Sequence, residues 1–157
     1  MEFLTWLEET PTSQWLVEST WAYYSMLALH AIGMAAVVGG TIMLCMRVLG
    51  FASSMAVADL ERLRLIAWGG FFINAISGSI LFAANGVKLV ANSMFQLKIA
   101  SIILGGVALW ALWRAIGPNK EPGHRYNATT KAVAWTTLFF WILAIVAGRY
   151  IAYTMKL

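Results

Sequence analysis

Charge is scarce in this chain. Asp, Glu, Lys and Arg make up 11% of its 157 residues, against about 25% in an ordinary soluble domain. So few charges cannot coat a globule of this size, which excludes a free-standing soluble domain, a disordered tail and a coiled coil. Cysteine occurs once, at Cys45. That excludes an intrachain disulfide framework, a four-cysteine metal site and covalent heme attachment through C-x-x-C-H. Proline occurs three times, at 11, 118 and 122, always between apolar runs. There is no Walker A loop, no G-x-S-x-G and no H-E-x-x-H. The net charge of +4 is dispersed between apolar runs. It marks topology and offers no tract for nucleic acid.

What is present is apolar length. A membrane helix needs about 20 mostly apolar residues, because each rises ~1.5 Å across a ~30 Å hydrocarbon core. Residues 19–46, 65–87, 94–113 and 132–155 each satisfy this. None alternates like a barrel strand, and lipid offers the backbone no hydrogen-bond partner, so all four are expected to be helices. The fold class is all-α: an integral membrane, antiparallel four-helix bundle forming one domain over residues 1–157. Ala52 to Leu63 reads as an amphipathic helix running into the second span. Gly117 to Tyr126, with Pro118, Pro122 and Gly123, reads as a loop. Ahead of the spans, Met1 to Glu18 carries four glutamates and no Lys or Arg, so the basic start of a secretory signal is missing. Phe3, Leu4, Trp6 and Leu7 suit a short interfacial helix, and Pro11-Thr12-Ser13 is a helix-start signal.

Arg47, Arg62, Arg64, Arg114, Lys120, Arg125 and Lys131 fall on one side of the spans. Lys88, Lys98, Arg149 and Lys156 fall on the other, with the acidic N-terminus. The side with more cations is expected in the cytoplasm, both termini outside, and the chain in a bacterial inner membrane. Trp15, Trp21, Trp68, Trp113 and Trp135 sit where interfacial anchors belong.

Polar residues inside a span are expensive, so they mark the site. His30 lies nine residues after Trp21, ~13 Å below the interface. An imidazole there serves as an axial heme ligand, a copper ligand or a helix–helix hydrogen bond. Met26, His30 and Met34 share one helix face at successive i, i+4 positions. Cys45 continues roughly the same stripe. Thioether and imidazole ligands suit Cu(I), although methionine also packs as a pliant apolar residue. Asn74 lies in the second span among Gly70, Ser77, Gly78 and Ser79, a small and polar face for the bundle interior or a quinone. Lys98 and Arg149 both reach the outer half of the membrane. They either snorkel to headgroups or turn inward to a heme propionate or quinone oxygen. Tyr23, at similar depth, offers a hydroxyl donor. His124, in the loop, is too shallow to meet His30.

ALHAIGMAAVVGG around His30, CMRVLG after it, GSILF closing the second span and FQLKIASIILGG opening the third form a pattern. It resembles a family of uncharacterised bacterial four-helix membrane proteins. That family is similar in turn to the copper-resistance D domain and to the heme-dependent four-helix protoporphyrinogen oxidase. The likeness covers about residues 18–114. It implies His30 as a heme b ligand and Lys98 as a functional polar neighbour, with Arg47 ending the first span. The chain departs from the oxidase pattern in having no tryptophan after His30 and a methionine-rich segment before Arg47.

Three functions lead the expectations, ahead of a proton or substrate conduit along Glu18, Lys98, Arg149, His30 and Asn74, which has no acidic residue deep in a span. The first is a heme-b-binding membrane redox or electron-transfer protein, an oxidoreductase if it turns over substrate. Its ligand is His30, and Lys98, Arg149, Asn74 and Tyr23 line the cofactor, with quinone as a candidate partner. The second is a copper-binding membrane protein using Met26, His30, Met34 and Cys45. The third is a non-catalytic accessory or scaffold subunit. A single deep histidine makes a homo-oligomer or a larger membrane complex attractive, because symmetry doubles the ligand count.

Overall fold

The structure, a computed structural model, describes residues 2–118 and 121–155, apart from the side chain of Leu63. Lys120 and Lys156, both counted above for topology, lie outside the described residues. Among the described residues the ordered elements are all helices: α1 (Glu2–Glu8), α2 (Pro11–Glu18), α3 (Thr20–Leu49), α4 (Val57–Ala91), α5 (Ser93–Ile116) and α6 (Ala128–Thr154). The last four are long and apolar enough to cross a membrane. α4 and α5 contain the expected 65–87 and 94–113 and overrun them at both ends; α3 starts one residue inside 19–46 and runs on to Leu49, and α6 starts ahead of 132–155 and stops one residue short of its end. The segment expected to be helical from Ala52 is a set of turns to Ser54, and α4 begins at Val57.

Local chemistry sets most of the boundaries. The Thr10 hydroxyl accepts from Ser13 N ahead of Pro11, starting α2. Ser19 caps α3 through Ala22 N, and Gly50 ends it with φ 104°. The Asn92 carboxamide oxygen accepts from Met94 N at 2.9 Å and Phe95 N at 3.2 Å. That one residue therefore stops α4 and starts α5. Asn127 begins a glycosylation-type Asn-Ala-Thr triplet, yet its oxygen is occupied as the N-cap of α6, accepting from Thr130 N at 2.8 Å.

α4 spans 35 residues, longer than a bilayer core requires. It breaks at Asn85, whose φ of −147° and ψ of 29° leave the helical region. The break frees the amide of Val87, and the Glu8 carboxylate accepts from it at 2.8 Å. Leu4 of α1 lies beside Gly86 at the same place. The N-terminal helix thus docks as a cap on an interrupted membrane helix.

Packing is uneven. α3 pairs closely with α4, and α5 with α6, while α3 and α6 join the pairs. His30 meets Gly78, Gly33 meets Gly70 and Asn74, and Gly40 meets Ala67, so α3 and α4 run in opposite directions. Lys98 meets Gly148 and Gly105 meets Trp141, so α5 and α6 do the same. A Cβ on Gly33 would stand 2.6 Å from the Gly70 carbonyl oxygen and 2.8 Å from Asn74 N. Only two hydrogens allow the α3 and α4 backbones to touch there. The densest core lies at the Arg47 end, where Leu44, Val48, Val57, Leu112, Ile116 and Leu138 interlock.

Arg47 is 1% exposed inside that end. Its Nε donates to the Met55 carbonyl, Nη2 to Glu121 O at 2.7 Å and Nη1 to His124 O at 3.2 Å. Its guanidinium also stands 5.6 Å from the Tyr126 ring centroid. A planar cation with five donors satisfies several converging carbonyls at once. Arg47 therefore ties the loop before α4 to the loop before α6.

Candidate functional site

The contact of α3 with α4 at Gly33 and Gly70 brings His30 against α4 one turn away. Its Nδ1 lies 3.1 Å from Asn74 O and 3.2 Å from Ser77 Oγ. A carbonyl only accepts, so Nδ1 carries the proton. The Ser77 hydroxyl is already donating to Ile73 O at 2.6 Å, so it accepts a share of the same proton. Asn74 Nδ2 donates back to His30 O at 2.7 Å. The ring lies over Gly78, where a Cβ would come within 2.9 Å of His30 Cε1. Nε2, left with its lone pair, faces Lys98 Nζ of α5 at 3.3 Å. Lys98 does not snorkel outward. Its stem lies along Gly148 of α6, whose missing side chain leaves room for it.

Three of the expected site residues, His30, Asn74 and Lys98, thus converge from three helices. Met34 joins Asn74 and Lys98 on the wall of a small void of about 30 Å³, with Trp141. The rest lie elsewhere. Arg149 is exposed, 5.6 Å from the Tyr153 ring centroid. Tyr23 is half-buried and edge-on to Tyr24. Met26 sits one turn before His30 on α3 and is half-buried. Cys45 is fully buried in the core at the Arg47 end, fifteen residues and ~22 Å along the axis from His30. The structure does not bring the Met–His–Met line and Cys45 to one point. His124 stands edge-on to Tyr126 in its loop. Among the described residues, no three His, Cys, Asp or Glu groups gather as a metal site.

The site offers heme b a suitable nitrogen but no space. Nδ1 is fixed by a carbonyl, which is how a ligating imidazole is commonly oriented. The ammonium of Lys98 stands where an axial bond from Nε2 would point, and the adjoining void is the size of one water. As packed, His30 does not fit a macrocycle.

Space lies further along. α4 and α5 share little packing beyond the Phe82–Phe95 stack near their junction. Between them opens a cavity of about 480 Å³, within the range of small-molecule sites. Trp68 and Phe71 of α4, Ile102 and Trp110 of α5 and Trp141 of α6 wall it, and Arg64 stands on its rim. Val37, Phe71, Ile102 and Trp141 line this cavity and the Lys98 void alike. An apolar groove therefore ends beside the void walled by Lys98 and Asn74, two of the partners of His30. Sequence reading missed it by treating Trp68 and Trp113 as anchors. The available signal was spacing: Arg64 with Trp68, and Gly106 with Trp110, sit four apart and share helix faces.

Comparison of the chain with protein-family models, with curated proteins and with solved structures finds no match.

Proposed function

We propose that this chain is a quinone-binding membrane protein. In this reading the four long helices form an antiparallel bundle in a bacterial inner membrane, with both termini outside. The apolar groove between α4 and α5 takes the ligand's body, and the His30–Lys98 pair receives its ring oxygen. The observation that carries this is the shared wall of Val37, Phe71, Ile102 and Trp141, which joins an apolar cavity to the half-buried cationic donor Lys98. Lys98 has donor hydrogens to spare after meeting His30 Nε2, and a charged donor to a carbonyl oxygen is a strong bond in a dry site. His30 keeps the ammonium aimed, and Asn74 and Ser77 keep His30 aimed.

Four tryptophans wall the groove, so quinone binding is read from their quenching. Titration of the detergent-solubilised protein with a short-tailed benzoquinone should give saturable quenching. Gly106→Leu fills open space inside the groove, and Lys98→Met removes the donor. Each should weaken binding at least about tenfold, the worth of one charged hydrogen bond. Non-saturating quenching, equal in all three proteins, refutes the reading. Topology is tested separately: Glu9→Cys should react with an impermeant maleimide on intact cells, and Ser54→Cys only after lysis.

A second reading keeps His30 as an axial ligand of heme b: the Nδ1–Asn74 bond favours it, and it requires Lys98 to leave Nε2 and the packing beside the ring to open. A Soret band in the purified protein, lost in His30→Ala, would establish it. Metal analysis of the same sample separates iron from a copper site at Met26, His30 and Met34.

A further inference from the structure

A groove that opens between two membrane helices is bathed in acyl chains, and its rim decides which lipid stays. Among the described residues lining this groove, none is acidic and Arg64 is the one cation. Arg64 sits at the end shared with Leu44, Leu60, Leu109 and Trp113, away from the closed end at Lys98. Arg114 of α5 stands 4.8 Å over the ring of Trp110, which walls the same groove. One guanidinium in the lining of an apolar slot, and a second over a tryptophan that walls it, suit an anionic headgroup above a hydrocarbon chain. Arginine holds a phosphate through paired donors. Basic pockets between membrane helices on the cation-rich side bind acidic lipids for this reason.

We propose that an anionic phospholipid occupies the α4–α5 groove, one acyl chain between the helices and its phosphate on Arg64 and Arg114. There it excludes the quinone-type ligand, so occupancy of the site follows the acidic lipid content of the membrane. The lipid site stands on the rim charge and the groove alone. The competition also rests on the quinone reading.

The test is native mass spectrometry of the full chain, equilibrated with mixed phosphatidylglycerol and phosphatidylcholine. Phosphatidylglycerol should be retained in preference to phosphatidylcholine, and Arg64→Gln with Arg114→Gln should each cut that preference about five-fold. Gly106→Leu should lose both lipids. Both arginines are outside the core, so their variants keep the fold, which circular dichroism verifies. Equal retention of the two lipids by the native chain overturns the lipid site, as does a preference untouched by both arginine variants. In the quenching titration, added phosphatidylglycerol should raise the apparent Kd and phosphatidylcholine should not. If the lipid arm succeeds while quinone never quenches saturably, the lipid site holds and the quinone reading fails.

Discussion

Asn74 and His30 hold each other from both ends: the amide of Asn74 donates to the carbonyl of His30 at 2.7 Å, and the imidazole of His30 donates to the carbonyl of Asn74 at 3.1 Å. One bond uses the asparagine side chain, and the other uses only its backbone. Asn74→Leu should therefore remove half of the clasp and leave Nδ1 oriented. Interhelical hydrogen bonds in membranes are worth about 0.6–1.7 kcal/mol. A loss in that range is expected in denaturant unfolding of the solubilised protein. A loss several times larger would mean that Asn74 carries more of the seam than these two bonds.

Gly33 should tolerate nothing larger. A methyl there meets the Gly70 carbonyl oxygen and Asn74 N, which are backbone atoms and cannot rotate away. Gly33→Ala should force α3 and α4 apart and cost about 3 kcal/mol or more, as overpacking does. Gly39, with open space around it, serves as the control, and Gly39→Ala should be near neutral. Thermal unfolding of both variants checks the contrast.

Lys98 separates ligand binding from stability. Lys98→Met removes a cation from the membrane interior and keeps the stem along Gly148, so the protein should be as stable as the native chain or more so. Ligand affinity should fall. Lys98→Arg keeps the charge but brings a planar head that does not fit the small void. It should lose both affinity and stability. Unfolding and quenching measured on one preparation distinguish these outcomes.

Arg47 is the opposite case, a cation the fold cannot release. Arg47→Met leaves the carbonyls of Met55, Glu121 and His124 without their donor. Hydrogen bonds to charged groups contribute about 1.5–3 kcal/mol each, so a loss above ~3 kcal/mol is expected. Limited proteolysis should show both loops newly cleavable, while quinone affinity, set by Lys98 at the far end of the groove, changes little.

The four spans were legible because length and apolarity are local properties, and each cap residue signals through its own neighbours. His30, Asn74 and Lys98 were legible one at a time, since depth alone marks a costly polar group. Their meeting was not. It joins positions 44 and 68 residues apart, and depends on how far each helix is rotated about its axis. Periodicity fixes a face but not the neighbour that face meets. Arg47 looked like a topology signal, because burial by two loops leaves no trace in its own helix. The break at Asn85 escaped for a similar reason: the Glu8 carboxylate that makes it affordable lies 79 residues earlier than the amide it caps. Cys45 joined the copper stripe on helix angle, and axial rise places it too far away.

The guanidinium of Arg47 reaches the bilayer well before Glu121 and His124, which are 74 and 77 residues further along the chain. During synthesis, a nascent product holding only the first two crossings has Met55 to meet Arg47, while the Glu121 and His124 carbonyls do not yet exist. In such an intermediate the two Nη groups of Arg47 are left to water. The end of the opening crossing therefore gains its full set of bonds only when the segment ahead of the closing one is in place.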